Sequence, residues 1–534
     1  MIADYINYIL LILVITLPIT YKYLFWLYTI QLKEYRWDRF KEYILTPQGK
    51  SAIFNFWFFI ELPLLLITIT IFFDKNFEII IYPIIFYFFL IQNIFVIWKI
   101  FRKKIIKPKL TGRLILTIFI ISFLISLDVY HIFSYNFYQI IYAYIILMWI
   151  LAPIVIFISI IISSPLVKYL KNKRIKKAVN ISQNIKKVTK IWITWSYWKS
   201  SIKEFLSSIL EKEWNTLKTP KNQNTELSVS SLVINKLTNK YKYFIAEMWA
   251  YKIWEIKTLW EIVNHKYWFL TSVWSQHLWL FWNIQNTKTA KLEITQKVLE
   301  NKWKLYINWE NQNIREINFS KKLNIIKYWN EKWSDVTYKI NSNSDSNTKF
   351  TLKYKNKSYN FDTNIIWEHS ILNITWVIAF CLDIWIVEKN IKKYLSNLKQ
   401  PENTLEITKT KKYTLINDSQ NLSENWLLAW LNVLKIFKWN KVLVLDDILE
   451  LWKKSKEIHI NLWEKIAKEK YVNEILFTWA NFWSFFKKWL LKGWFDEENF
   501  IKNIENIKKW STILFEWKRS RKYFEALISD SWEE

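Results

Sequence analysis

Residues 188–210 read Val188-Thr189-Lys190-Ile191-Trp192-Ile193-Thr194-Trp195-Ser196-Tyr197-Trp198-Lys199-Ser200-Ser201-Ile202-Lys203-Glu204-Phe205-Leu206-Ser207-Ser208-Ile209-Leu210. The apolar, β-branched run Val188–Ile193 predicts a strand, and the spacing of apolar residues over Ser200–Leu210 predicts a helix. Between them stands a short polar turn that delivers Lys199 and Ser200 to the helix N-terminus. A turn of this kind cradles phosphate when its backbone N–H groups can approach closely, which requires glycine. Three indoles at 192, 195 and 198 would block it. With glycine at those positions the text becomes G-I-T-G-S-Y-G-K-S-S.

The composition supports that substitution. Gly occurs 3 times and Trp 35 times in 534 residues. Together they come to about the 7% that glycine alone ordinarily takes. Position agrees with count: Trp439-Asn440 falls between a helix-like and a strand-like run, where a C-cap glycine is expected, and Trp309 lies in a polar turn. We read the pattern as UGA codons that the source translates as glycine and that are written here as tryptophan. Trp26 and Trp57, in apolar runs, need not follow it.

Upstream, five long apolar runs at about 6–31, 54–73, 79–99, 114–133 and 140–163 each approach the length of a bilayer-spanning helix. The first lacks the basic start and cleavage site of a signal peptide. Lys33, Arg36, Arg39, Lys41 and Lys50 follow the first run, and Lys99, Arg102, Lys103, Lys104, Lys107, Lys109 and Arg113 follow the third. The loops after the second and fourth carry Lys75 and no basic residue, respectively. This asymmetry predicts a multi-pass protein of the cell membrane, N-terminus outside, with everything beyond about 165 cytosolic. The net charge of +29 is thereby partly topological, and nucleic acid is not needed as a partner. One cysteine, Cys381, excludes an internal disulfide.

Downstream, strand-like runs alternate with amphipathic helices, the pattern of α/β domains. Residues 296–362 are richer in strands. A polar stretch at Gln400–Asn403 precedes a second α/β unit, with strands expected at Tyr413–Asn417, Lys441–Leu445, Glu474–Thr478 and Thr512–Phe515. The expected layout is an all-α transmembrane domain of five helices at 1–165, a basic linker at 166–184 that could rest on anionic lipid, an α/β nucleotide-binding domain at 185–400, and a Rossmann-like α/β domain at 401–534.

Once the glycines are restored, T-G-S-Y-G-K-S resembles the phosphate loop T-G-x-x-G-K-[ST] of the Mur ligase family. Glu247-Met248-Trp249-Ala250-Tyr251-Lys252-Ile253-Trp254-Glu255-Ile256 becomes E-M-G-A-Y-K-I-G-E-I and resembles the metal-carboxylate motif of the branch that adds D-alanyl-D-alanine. Leu270 to Leu278 resembles the stretch in which a histidine, here His277, helps hold a second metal. Lys291 matches the lysine that some members carry as a carbamate. Trp367-Glu368-His369-Ser370-Ile371-Leu372-Asn373 resembles the nucleotide motif G-x-H-N-x-x-N, with Ser370 departing and Asn373 matching. Asn403-Thr404 stands where G-R is expected. Asn417-Asp418-Ser419-Gln420-Asn421 resembles D-D-S-Y-N, keeping Asp418 and replacing Tyr by Gln420. Leu445 to Trp452, with His459, resembles G-D-M-L-E-L-G…H, and Glu516 to Arg521 resembles E-G-K-x-S.

The resemblance covers about 185–530, in family order; the family's N-terminal uridine-nucleotide domain is not matched. It implies an ATP-dependent acid–amino-acid ligase that works through an acyl phosphate on a cell-wall peptide precursor, with an amino acid or dipeptide as second substrate. It implies Thr194, Trp195, Ser196, Trp198, Lys199, Ser200 and Ser201 at the phosphates, Asn373 and Asp418 at the nucleotide, and Ser200, Glu247 and His277 around Mg²⁺. Lys199, Glu247, His277 and Lys291 would then carry the chemistry. Two other readings remain: a poly-γ-glutamate-synthase-like ligase, and a non-catalytic nucleotide-binding scaffold for wall synthesis, the latter motivated by Thr404 and Gln420.

Overall fold

A computed structural model describes most of the chain. It excludes residues 1, 74–76, 103–105, 135–140, 195–198, 221–222, 249–252, 272–303, 401–405, 480–498, 517–519 and 530–534, most of 419–438 and 447–471, and scattered positions in 317–346 and at 502. The chain divides into two compact units, Met1–Lys173 and Arg174–Glu534.

The first unit is helical: α1 (Ile2–Leu32), α2 (Trp37–Leu45), α3 (Pro47–Ile53), α4 (Phe58–Phe73), α5 (Glu78–Phe101), α6 (Gly112–Ser134) and α7 (Ile141–Ile150), followed by α8 (Ala152–Asn184), which continues into the second unit. All five apolar runs are helical. Among the described residues, four helical segments are long and apolar enough to cross a membrane: Leu13–Leu32, Ile79–Phe101, Gly112–Ile132 and Ala152–Asn184. The second run forms the 16-residue α4, and the fifth is split between α7 and α8. Pro18 lies inside α1, where its ring removes the bond to the carbonyl four residues back. That carbonyl, on Val14, accepts instead from Asn93 Nδ2 of α5 at 2.5 Å. The residues expected as a linker, 166–184, form the C-terminal part of α8.

The second unit is built on two mixed sheets. The first orders its strands β2-β3-β1-β4-β5-β6-β7-β8-β9, with β1 (Thr189–Thr194), β2 (Thr216–Lys218), β3 (Tyr243–Met248), β4 (Tyr267–Leu270), β5 (Lys304–Asn308), β6 (Asn324–Tyr328), β7 (Val336–Asn343), β8 (Thr348–Tyr354) and β9 (Lys357–Thr363). Strands β2 to β7 run parallel, and β7-β8-β9 is an antiparallel meander, the strand-rich stretch expected from the sequence. Helices α9 (Lys199–Glu213), α10 (Glu226–Lys236), α11 (Ile253–Val263), α12 (Glu368–Asp383) and α13 (Glu388–Leu395) accompany it.

Alternation along β1 explains why the sheet is covered on both faces. Ile191 and Ile193 pack with Ile202, Phe205, Leu206 and Ile209 of α9. Trp192 points the other way, into a cluster with Val229, Val233 and Trp268. Each fully buried side chain of the α9 stripe contributes about 1.5–3 kcal/mol, so α9, and with it Lys199, is firmly placed.

The second sheet orders β10-β11-β15-β12-β13-β14: β10 (Glu406–Lys409), β11 (Thr414–Asp418), β12 (Lys441–Asp446), β13 (Glu474–Trp479), β14 (Phe500–Ile501) and β15 (Thr512–Glu516). All neighbours are parallel except β10 and β11. The four strands expected here are present, each within a residue or two of its expected bounds. The helix α14 (Arg521–Ser529) packs its Phe524 and Leu527 with Ile513 and Phe515 of β15.

Candidate functional site

The chain leaves β1 at Thr194 and enters α9 at Lys199, so the turn expected to bind phosphate lies at the carboxyl end of a central parallel strand. That edge of an open α/β sheet is where ligands bind. Lys199 is buried at the first position of α9. Burial pushes its ammonium down to about 8, opposed by the charge of Glu247. Trp195, Ser196 and Trp198, and also His277 and Lys291, lie outside the described residues.

Glu247 stands near the end of β3, beside β1, in register with Ile193. Its backbone N–H donates to Thr219 Oγ1 at 3.0 Å, which ties the strand to the segment after β2. The Ser200 hydroxyl donates to Glu247 Oε2 at 3.0 Å, as does Lys203 Nζ at 3.0 Å. Asn224 Nδ2 donates to Oε1 at 3.3 Å. Burial alone would push the Glu247 acid up; Lys203, Lys199 and the Ser200 hydroxyl outweigh it and hold the carboxyl below its ordinary value. Glu247 is therefore an anion at neutral pH, aimed at the same helix N-terminus as Lys199.

Thr194 is buried and donates from Oγ1 to the Met248 carbonyl at 3.4 Å, which joins the ends of β1 and β3. Ser201 is buried on α9. Asn373 is buried on α12, and its Nδ2 has no hydrogen-bond partner among the described residues. Ser370, one turn earlier, accepts from Gln400 Nε2 at 3.0 Å. Asp418 belongs to the second sheet, at the end of β11, in register with Glu516 of β15. Glu516 is fully buried, and both its oxygens lack partners among the described residues. Burial, then the neighbouring Asp418, push its acid well above the ordinary value.

Of the residues expected from sequence, the structure thus brings together Lys199, Ser200 and Glu247. Sequence reading missed Lys203, Asn224 and Thr219. Lys203 was within reach, because it lies four residues after Lys199 and so shares its helix face. Asn224 and Thr219 carried no signal, since only the fold places the segment after β2 beside Glu247.

Glu247 and Ser200 offer hard oxygen donors, and one or two carboxylates plus phosphate oxygens are the usual surroundings of Mg²⁺. The pair fits that ion. Among the described residues no group of three or more His, Cys, Asp and Glu forms a metal cage.

Comparison with known proteins shows similarity over part of the chain. The Mur ligase middle domain matches residues 193–381. A UDP-N-acetylmuramoyl-tripeptide–D-alanyl-D-alanine ligase from Buchnera aphidicola subsp. Baizongia pistaciae is 28% identical over 349 residues, which span 62% of this chain and 73% of that protein. The ligase of the same name from Escherichia coli K12 is 27% identical over 289 residues, 53% of this chain and 63% of its own. A crystal structure of MurF from Acinetobacter baumannii superposes with TM-score 0.59 at 21% identity, covering 68% of this chain and 81% of that one. MurF ligase from Thermotoga maritima, solved with ADP, gives 0.58 at 19% identity, covering 67% and 82%. These structural likenesses establish the α/β fold.

Proposed function

We propose that this chain, which carries a Mur ligase middle domain, is an ATP-dependent ligase that forms an amide bond on a cell-wall peptide precursor. The observation that carries the reading is the convergence of Lys199 and Ser200, at the start of α9, on the anionic Glu247 at the end of β3. The comparisons do not favour a poly-γ-glutamate-type ligase or a non-catalytic scaffold.

The chemistry follows from that arrangement. A substrate carboxylate attacks the γ-phosphorus of ATP; the P–O bond to the β-phosphate breaks, giving an acyl phosphate and ADP. The incoming amine then attacks the acyl carbon, phosphate leaves with the bonding pair, and the amine gives up a proton. The Lys199 ammonium meets the β/γ-phosphates as a point charge, helped by the N-terminal dipole of α9. Bound at Ser200 and Glu247, Mg²⁺ would neutralise charge on the phosphate oxygens. Asn373 and Asp418 are proposed to contact the nucleotide, and His277 and Lys291 to complete the metal site. By the names of the relatives, the substrates are a UDP-N-acetylmuramoyl-tripeptide and D-alanyl-D-alanine.

Two further readings belong to the proposal. The apolar helices of the first unit span the cell membrane, with the N-terminus outside and residues 185–534 in the cytosol, supported by the loop charges. UGA codons encode glycine at many of the positions written as Trp. In support, Trp385 and Trp510 take φ of 69° and 67°, the left-handed region that favours glycine, and Trp385 is 90% exposed. The ring N–H groups of Trp192, Trp268 and Trp376 are buried with no acceptor among the described residues. Peptide mass spectrometry of the native protein decides it, with glycine expected at 192, 195 and 198.

The function is tested with the purified full chain, ATP, the tripeptide precursor and D-alanyl-D-alanine. Phosphate release that requires both substrates, with an amide product of the summed mass less water, is expected. Nucleotide binding without amine-dependent phosphate release would replace the ligase by the scaffold.

A further inference from the structure

Helix α8 changes character along its length without a break. Its first half belongs to an apolar segment long enough to cross a membrane. Ile158, Ile161, Ile162 and Leu166 are exposed there, then Tyr169 and Leu170. Lys168 adjoins Tyr169, and within the next turns come Lys173, Lys176 and Lys177, all exposed, none of these three paired with a carboxylate among the described residues. Apolar side chains, then an aromatic at the start of a lysine-bearing stretch, is the order in which a helix meets acyl chains, headgroups and water. At 100° per residue, Lys173 and Lys177 lie about 160° from Ile175, and Lys176 lies on a flank.

The opposite stripe is not free. Ile175 and Ala178 are buried in the core cluster that also holds Val188, Trp192 and Val229 of the first sheet's surroundings. Ser182 Oγ donates to the Val263 carbonyl at 3.1 Å, Lys190 Nζ bonds the Ser182 carbonyl, and Arg174 Nη2 donates to Ser231 Oγ at 2.9 Å. Lys176 and Lys177 are therefore carried on a stretch of helix packed within the second unit.

We propose that the inner end of α8 binds the headgroups of anionic phospholipid, with Lys173, Lys176 and Lys177 on the phosphates and Tyr169 at headgroup level, so that the charge of the bilayer surface holds this stretch of the helix. The proposal rests on the membrane reading of the first unit. Charge complementarity selects the occupant: three closely spaced lysines fit an acidic surface, and each lysine near such a surface is worth about fivefold in binding.

The test uses the full chain in vesicles of phosphatidylcholine alone or with phosphatidylglycerol. Asn180→Cys, exposed on the same face one turn further on, carries an environment-sensitive dye; the native Cys381 is buried. Headgroup-spin-labelled lipid serves as quencher. Quenching should be stronger with phosphatidylglycerol and fall with added salt. Lys173→Gln/Lys176→Gln/Lys177→Gln, the milder variant for folding, should lower the ratio of engaged to released states on the order of a hundredfold, and the corresponding Glu triple, which reverses the charge, should lower it further. Quenching that is equal in both vesicles, or unchanged in both triples, overturns the proposal while the chain stays in the membrane. A chain washed off both vesicle types by alkaline carbonate overturns the membrane reading itself.

Discussion

Lys203→Met removes an ammonium that directly touches Glu247. The two groups are 3.0 Å apart, and their side chains are 1% and 5% exposed. Breaking a buried pair from one side costs about 3–5 kcal/mol, because the remaining charge keeps its desolvation cost and loses its partner. Here Ser200 and Asn224 still donate to Glu247, and Lys199 still faces it, so the lower end, about 3 kcal/mol, is expected. Glu247→Gln should relieve most of that loss in the double variant, since the uncompensated charge is gone; a coupling of about 2 kcal/mol is expected from the cycle. The sign with pH follows from the depressed Glu247 acid. The stabilisation from the pair is complete above the ordinary carboxyl value of 4.5 and is lost as pH falls through the lower folded value. The assay is thermal unfolding of the purified full chain in detergent, for wild type, both single variants and the double, at neutral and acid pH. Effects that add to within about 0.5 kcal/mol, or a loss below about 1 kcal/mol, as for a solvated pair, would refute the buried-pair account.

Lys199→Ala should lower ATP turnover by about 10²–10³ with the fold retained, because it removes charge stabilisation at the transferring phosphoryl group; phosphate release at saturating ATP measures it. Since burial brings the Lys199 ammonium down to about 8, ATP affinity of the free chain should weaken as pH rises through that value, by up to about tenfold per pH unit, and calorimetric titration at several pH values reads this. Glu516→Gln should stabilise the chain at neutral pH. Burial and Asp418 hold the wild-type acid above its ordinary value in the fold, whereas it ionises on unfolding above 4.5, so the gain grows as pH rises from there and disappears below it; thermal midpoints across pH follow it.

The sequence by itself determined the order of the elements and singled out three side chains, Lys199, Ser200 and Glu247, that the fold brings together. Hydrophobic runs of bilayer length and the apolar, β-branched run Val188–Ile193 are local properties, and the strands expected at β1, β11, β12, β13 and β15 are where the structure has them. Lys199, Ser200 and Glu247 were legible because a charged side chain at a strand end or helix start has a short list of uses. The partners of Glu247 were not. Lys203 reads as one more lysine on a surface helix until β3 is placed beside β1, and Asn224 and Thr219 reach the carboxylate only through the crossover after β2. Likewise Asp418 and Glu516 lie almost a hundred residues apart, and only the parallel pairing of β11 with β15 puts two acids side by side. The 166–184 segment reads as a linker because its lysines dominate its composition. Four apolar contacts, the buried Ile175 and Ala178 and the half-buried Val179 and Ile181, make it the continuation of α8, since burial against a folded neighbour decides whether a charged stretch is a helix or a tether. Local chemistry is written in order along the chain; the desolvation and pairing that set the Glu247 and Glu516 acids depend on which strands become neighbours, and that is decided in three dimensions.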